Sequence, residues 1–182
     1  MSERFMGWHT IYGAEGDHAT PYMTRVWIGR LRLHIFYRGD ADPDPHDHPW
    51  EFWTFPLTSY MEEVYIAYEA RPMDDRRKKK RQYWARQLSV VDAFKWHHRP
   101  AGYTHRVLAR AKRDKAKQPV LLLGPAGAVA HAVPGKIVTI VWRGKSVRPW
   151  GFLKLRDGRW CWQAWREYVY RGGKHAPCEP EE

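Results

Sequence analysis

Apolar and polar positions alternate along most of this chain in short runs, rich in β-branched and aromatic residues and bounded by Pro, Gly and Asp. Such period-2 patterning predicts strands, because successive side chains of a strand point to opposite faces. The expected strands cover 23–38, broken in two at Gly29, then 46–57, 60–69, 81–88, a short piece around 90–95, 104–109, 119–123, 136–143 and 150–155. Helical periodicity is scarce. Only "WQAWREYVY", 162–170, puts Trp162, Trp165 and Val169 on one stripe. Many short strands separated by turn signals predict an all-β, antiparallel barrel or sandwich with a short C-terminal helix.

A chain of 182 residues fits one domain with its own core. Residues 1–22 are expected to pack on that domain as an N-terminal segment, 23–170 to form the β-barrel, and 171–182 to be a flexible tail. Eleven tryptophans change the picture of the interior: large rings are expected to fill the barrel and seal its ends, with an aromatic-lined pocket as the alternative. Cys161 in "RWCWQAW" and Cys178 in "HAPCEPEE" look like neither a disulfide framework nor a zinc knuckle, so a reducing cytoplasm is the natural setting. The first residues, "MSERFMGWHT", lack the apolar run of an ordinary secretory signal. The most apolar stretch, 119–142, is interrupted by Pro, Gly and His131 and cannot be a spanning helix, so no membrane partner is expected.

Charge adds one partner to consider. Residues 71–118 hold 16 Lys/Arg against 4 Asp/Glu, which accounts for the whole of the net +11. The excess centres on "DDRRKKKRQ" (74–82) and "RAKRDKAKQ" (110–118), read as two exposed loops. They serve either as solvated connections or as a surface for nucleic acid, since phosphate neutralisation needs clustered Lys/Arg.

The candidate chemistry begins at "DPDPHDHPWEFW", 42–53. On a strand His46 and His48 point the same way, about 6.6 Å apart at roughly 3.3 Å per residue, a spacing from which two imidazoles share one metal. A second stretch, "HHRPAGYTHRV" (97–107), contains Pro100, Gly102 and His105 as P-x-G-x-x-H, a turn that feeds a strand opening with histidine. Glu51 lies three residues after His48, on the opposite face of an unbroken strand; only a kink, for which Pro49 is placed, brings it back. Glu62 and Glu63 are the substitutes. His34 is either a donor near the metal or a hydrogen-bonded core histidine, and His97 and His98 read as structural or exposed.

His-x-His-x-x-Glu followed by Pro-x-Gly-x-x-His resembles the two sequence motifs of the cupin superfamily, and the likeness spans roughly residues 30–155. It departs from the pattern in the spacing of the glutamate and in Thr58 and Ser59, which stand where a glycine is expected. "HDHPW" followed by "WGF" further resembles single-domain cupins found among phage and bacterial hypothetical proteins. The resemblance implies a jelly-roll β-barrel in which His46, His48, His105 and Glu51 bind a divalent metal, Fe(II) before Mn, Ni or Zn. It also implies a metal-dependent enzyme, with a non-haem iron oxygenase acting on a small molecule inside the barrel as the first reading. A non-catalytic metal-containing cupin and a nucleic-acid or nucleotide-acting protein are the alternatives, and a homodimer is open. Arg143, Arg148, Trp150 and His34 are the candidate substrate-binding residues, by charge-assisted and ring-face contacts.

Overall fold

The computed structural model describes residues 4–12, 20–70, 81–113 and 130–178. Its twelve strands are β1 (Met6–Ile11), β2 (Met23–Ile28), β3 (Leu31–Phe36), β4 (Phe52–Pro56), β5 (Tyr60–Ala70), β6 (Arg81–Val91), β7 (His97–Arg99), β8 (Thr104–Arg113), β9 (Ala130–Val133), β10 (Ile137–Arg143), β11 (Gly151–Arg156) and β12 (Arg159–Ala164), followed by the helix α1 (Trp165–Tyr170). They form a six-stranded sheet in the order β1-β2-β3-β10-β4-β7, a four-stranded sheet β6-β5-β8-β9 and the hairpin β11-β12. All pairings are antiparallel. The fold is therefore mostly β, as the alternation predicts.

Turn chemistry sets the registers. Gly29 adopts φ 56°, and with Ile28 opposite Leu31 the β2–β3 connection is a two-residue hairpin turn of the kind that places Gly first. Asp157 and Gly158 both take positive φ, 52° and 73°, between the paired Arg156 and Arg159. This is the Asp-Gly hairpin signal, and it makes 159–164 a strand. The predicted helix 162–170 therefore shrinks to six residues, because cross-strand pairing takes Trp162, Gln163 and Ala164. The strand predicted over 46–57 begins only at Phe52. Residues 119–123 lie outside the described residues, as do 74–80 and 114–118 of the basic runs; Arg110–Arg113, read as loop, end strand β8. Residues Met6–Ile11 of the N-terminal segment pair with β2 at the edge of the large sheet.

The two larger sheets pack face to face at one end, where Met23, Phe36 and Ile137 meet Tyr60, Val91 and Val107. Further along the same inner face of the large sheet the composition turns polar. Arg25, His34 and Thr139 stand side by side across β2, β3 and β10. Trp27, Arg32, Val141 and Thr54 form the next row. The opposite, outer face carries exposed Met6, Trp8, Val26, Ile28, Leu31, Trp53 and Trp142. The expectation that tryptophans fill the interior is thus overturned: all eleven keep some exposure. A ring of that size fits a face or a rim more readily than a space already occupied by Phe36, Tyr60 and Arg side chains.

Residues 171–178, expected to be a flexible tail, are docked. The fully buried Lys154 donates from Nζ to the carbonyls of Gly173 (2.5 Å) and Ala176 (2.9 Å). Arg156 bonds the Lys174 carbonyl and the Asp44 carboxylate. Cys161 and Cys178 form a disulfide, which corrects the reading of both as unpaired. The signal was weak because the partners come from a strand and a coil 17 positions apart, with no repeated spacing. Closing a loop of that length contributes roughly 3 kcal/mol. Cys178→Ser is expected to lower unfolding stability by about that amount under oxidising conditions and by little once the wild type is reduced. Denaturant melts with and without dithiothreitol check this, alongside a thiol count that rises from none to two on reduction. Among the described residues, no helix is long and apolar enough to cross a membrane.

Candidate metal centre

The site is assembled by a short extended segment, 45–49, framed by Pro45 and Pro49. Its backbone is zipped on both sides: His46 exchanges hydrogen bonds with His105 of β8 (3.0 and 2.9 Å), while Asp47 N–H donates to Gly151 O and Leu153 N–H to Pro45 O on β11. Because side chains alternate, His46 and His48 face one way and Asp47 the other. Asp47 is buried and accepts from Gly151 N–H (2.8 Å), Trp162 Nε1 (2.9 Å) and Arg148 Nη1 (2.7 Å). One residue thereby locks the segment to the β11–β12 hairpin and fixes the direction of both histidines.

The third histidine meets them. The His46 and His48 ring centres are 5.1 Å apart, and His105 lies 5.1 Å from His46 and 5.3 Å from His48. His48 Nε2 and His105 Nε2 are 3.0 Å apart, and one ring nitrogen from each of the three lies within 4.8 Å of the others. Two ligands at about 2.1 Å from one ion stand about 3.0 Å apart at a right angle and about 3.4 Å apart at a tetrahedral angle, so this triangle needs only a small contraction to close on a metal. The group could hold a metal ion, and the geometry leaves its identity open.

What stands behind the imidazoles fits that role. His105 Nδ1 lies 2.9 Å from Glu62 Oε2, and the completely buried Glu62 also accepts from Arg99 Nη2 and Tyr103 OH, each at 2.7 Å. A carboxylate on Nδ1 places the proton there and leaves Nε2 as a lone pair, the arrangement that metal-bound histidines ordinarily show. Burial pushes the Glu62 carboxyl up, but the hydrogen bond and charge of His105 with Arg99 and Tyr103 outweigh it and hold the group below its ordinary value. Asp40 stands 3.7 Å from His46 Nδ1 while accepting from Val107 N–H and Tyr22 OH. Burial lowers His46 to about 4, with Asp40 opposing and His105 and Arg106 reinforcing the shift. Burial also carries His48 well below its usual range, helped by His46, His105, His34 and Arg25. Both rings are neutral at pH 7, the state that binds metals.

The remaining candidate residues are distributed around this group. Glu51 is not brought to it: its exposed side chain faces His98 Nε2 at 3.3 Å, because alternation from the inward Phe52 turns it outward and Pro49 does not reverse this. Glu62 lies behind His105, and Glu63 pairs with Arg86 and Arg106. Arg148 is engaged by Asp47 and lies 5.7 Å over the Trp162 ring. Arg143 lies 4.8 Å over Trp50, whose ring is 6.3 Å from His48. Trp150 sits 6.5 Å from His46 and stacks on Trp165. His97 bonds the Asp92 carbonyl, and the His98 ring lies 4.7 Å from Trp53, tilted by 38°. Sequence reasoning missed Asp40, Asp47, Arg99 and Tyr103, although Asp47 lies between the two histidines of the first motif, Arg99 just before Pro100 and Tyr103 inside P-x-G-x-x-H.

No family model matches this chain, and no curated protein is similar to it by sequence.

Proposed function

We propose that the chain is a metal-dependent enzyme of the cupin type, a non-haem iron oxygenase acting on a small molecule held between the two larger sheets. The observation that carries this reading is the convergence of three imidazoles from two segments about sixty positions apart, one of them fixed from behind by a buried carboxylate. The order of the two histidine motifs and the antiparallel two-sheet architecture support the family assignment. Phe52, 4.7 Å from the His48 ring, and Trp50 wall one side of the group and limit the approach of water. A bound Fe(II) with three protein ligands would supply open positions for O₂ and a substrate donor atom.

The test is purification without chelators or a nickel-scavenging tag, followed by metal analysis and nitric oxide addition to the anaerobic Fe(II) form. About one metal per chain and a new spin-3/2 resonance with nitric oxide are expected. One metal per chain with no nitric oxide signal would indicate a closed sphere and a structural metal instead. The cytoplasmic setting requires Cys161 and Cys178 to persist in a compartment that ordinarily keeps thiols reduced, so trapping their state in cells tests that part of the reading.

A further inference from the structure

The inner face of the large sheet is inverted beyond its apolar end. Where a packed sheet presents hydrophobic side chains inward, this one presents Arg25, His34 and Thr139 in one row and Arg32 and Thr54 between Trp27 and Val141 in the next, while Val26, Ile28 and Leu31 face outward and exposed. That polar wall adjoins the three histidines. Phe52 packs on His48; two residues along the same strand, Thr54 Oγ1 bonds Thr139 Oγ1 at 2.5 Å; and Thr139 is opposite His34, which is opposite Arg25. On the other side of the same histidine, Arg143 is opposite Phe52 and lies over Trp50.

Two features of this wall ask for a ligand. His34 Nε2 is buried with no hydrogen-bond partner, an exception to the rule that buried polar atoms are paired. The metal-ligating set is all imidazole, so nothing in it balances the charge of a divalent ion. Glu62 and Asp40 stand behind His105 and His46, on the Nδ1 side of each ring, and Asp47 is taken by Gly151, Trp162 and Arg148, so no carboxylate is itself in the ligand set. Arg25 and Arg32 also add to burial in holding His34 neutral, so its free nitrogen acts as a neutral donor or acceptor.

We propose that this face binds a small carboxylate, contacted by His34 and the guanidinium group of Arg25, with one carboxylate oxygen directed to the metal position. The inference rests on the metal-site reading and adds the substrate class to it. A carboxylate matches the wall because its two oxygens suit one guanidinium fork and one ring nitrogen, and the Thr54 and Thr139 hydroxyls that a third oxygen would need are spent on each other.

The experiment uses the full chain loaded with Co(II), whose visible spectrum reports its ligands, titrated with malonate, malonamide and inorganic phosphate. Malonate is expected to change the cobalt spectrum and to bind at least tenfold more tightly than malonamide or phosphate. His34→Ala and Arg25→Gln are expected each to weaken malonate at least tenfold, with cobalt still at one per chain. Equal binding of malonate and malonamide, or unchanged malonate affinity in both variants, overturns the proposal and leaves the metal reading standing; tighter binding of phosphate overturns the carboxylate assignment. If cobalt fails to bind, the metal reading falls. Calorimetry of malonate on the metal-free protein then decides the wall alone: binding lost in His34→Ala supports it, and no binding ends it.

Discussion

Replacing His105 or His48 by alanine is expected to lower metal affinity by about two orders of magnitude, while the protein stays folded. The magnitude follows from the roughly 10–16 kcal/mol that four-ligand zinc sites draw from binding, or about 3 kcal/mol per ligand. The fold should survive because the His46–His105 pairing, and the Gly102 N–H bond to the His48 carbonyl, run through backbone groups that alanine keeps, while the His48 side chain contributes ring contacts to Trp50 and Phe52 and the bond to His105. Three controls sharpen the result. His97 and His98 are engaged by the Asp92 carbonyl and by Glu51, and Glu51 itself is exposed, so His97→Ala, His98→Ala and Glu51→Ala should leave affinity within about twofold. Competition against a chromophoric chelator measures all five variants on one scale. Wild-type affinity in both His48→Ala and His105→Ala would remove the centre altogether.

Much of the scaffold was legible because the signals are local. The break at Gly29, the long strand from Tyr60 and the β-branched run 137–143 are each set by alternation and a turn residue within a few positions. The two histidines of "HDH" were legible for the same reason, since their common face depends only on the period of an extended chain. What alternation cannot say is which face is inside. Arg25 and His34 alternate cleanly with Val26 and Leu33, and the usual assignment would bury the apolar set; the register with Thr139 and the contact from Phe52 to His48 decide the opposite. The partners of the ligands were out of reach for a different reason. Glu62 meets His105 across 43 positions and Asp47 meets Trp162 across 115, and neither pair leaves a trace in local spacing. The hairpin at Asp157-Gly158 carried its own signal, but the tryptophan stripe that follows imitates a helix.

Glu62→Ala is expected to destabilise the metal-free protein by about 3–5 kcal/mol, the usual cost of removing one partner from a buried charged group. The carboxylate is completely buried and holds three donors at once, His105 Nδ1, Arg99 Nη2 and Tyr103 OH, so its loss leaves each of them short of an acceptor. Glu62→Gln separates packing from chemistry. Its shape is retained, but it offers one acceptor where two carboxylate oxygens served three donors. If its amide nitrogen faces His105, it donates to Nδ1 and drives the ring proton to Nε2, removing the lone pair a metal needs; if it faces Arg99 and Tyr103, it sets donor against donor. Either way metal affinity should fall roughly 10–100-fold, the usual effect of losing the group behind a ligand. Acid gives an independent check on the same residue. Since the folded carboxyl lies below its ordinary value of 4.5, the ionised form stabilises the fold above that pH, and the advantage is lost as pH falls through the folded value. The stability difference between wild type and Glu62→Gln, measured by urea unfolding of metal-free protein, should therefore be largest near neutrality and narrow below about pH 4.5. A difference that stays constant from pH 7 to 4 would show that ionisation of Glu62 contributes nothing to the fold, and the tautomer of His105 would then need another cause.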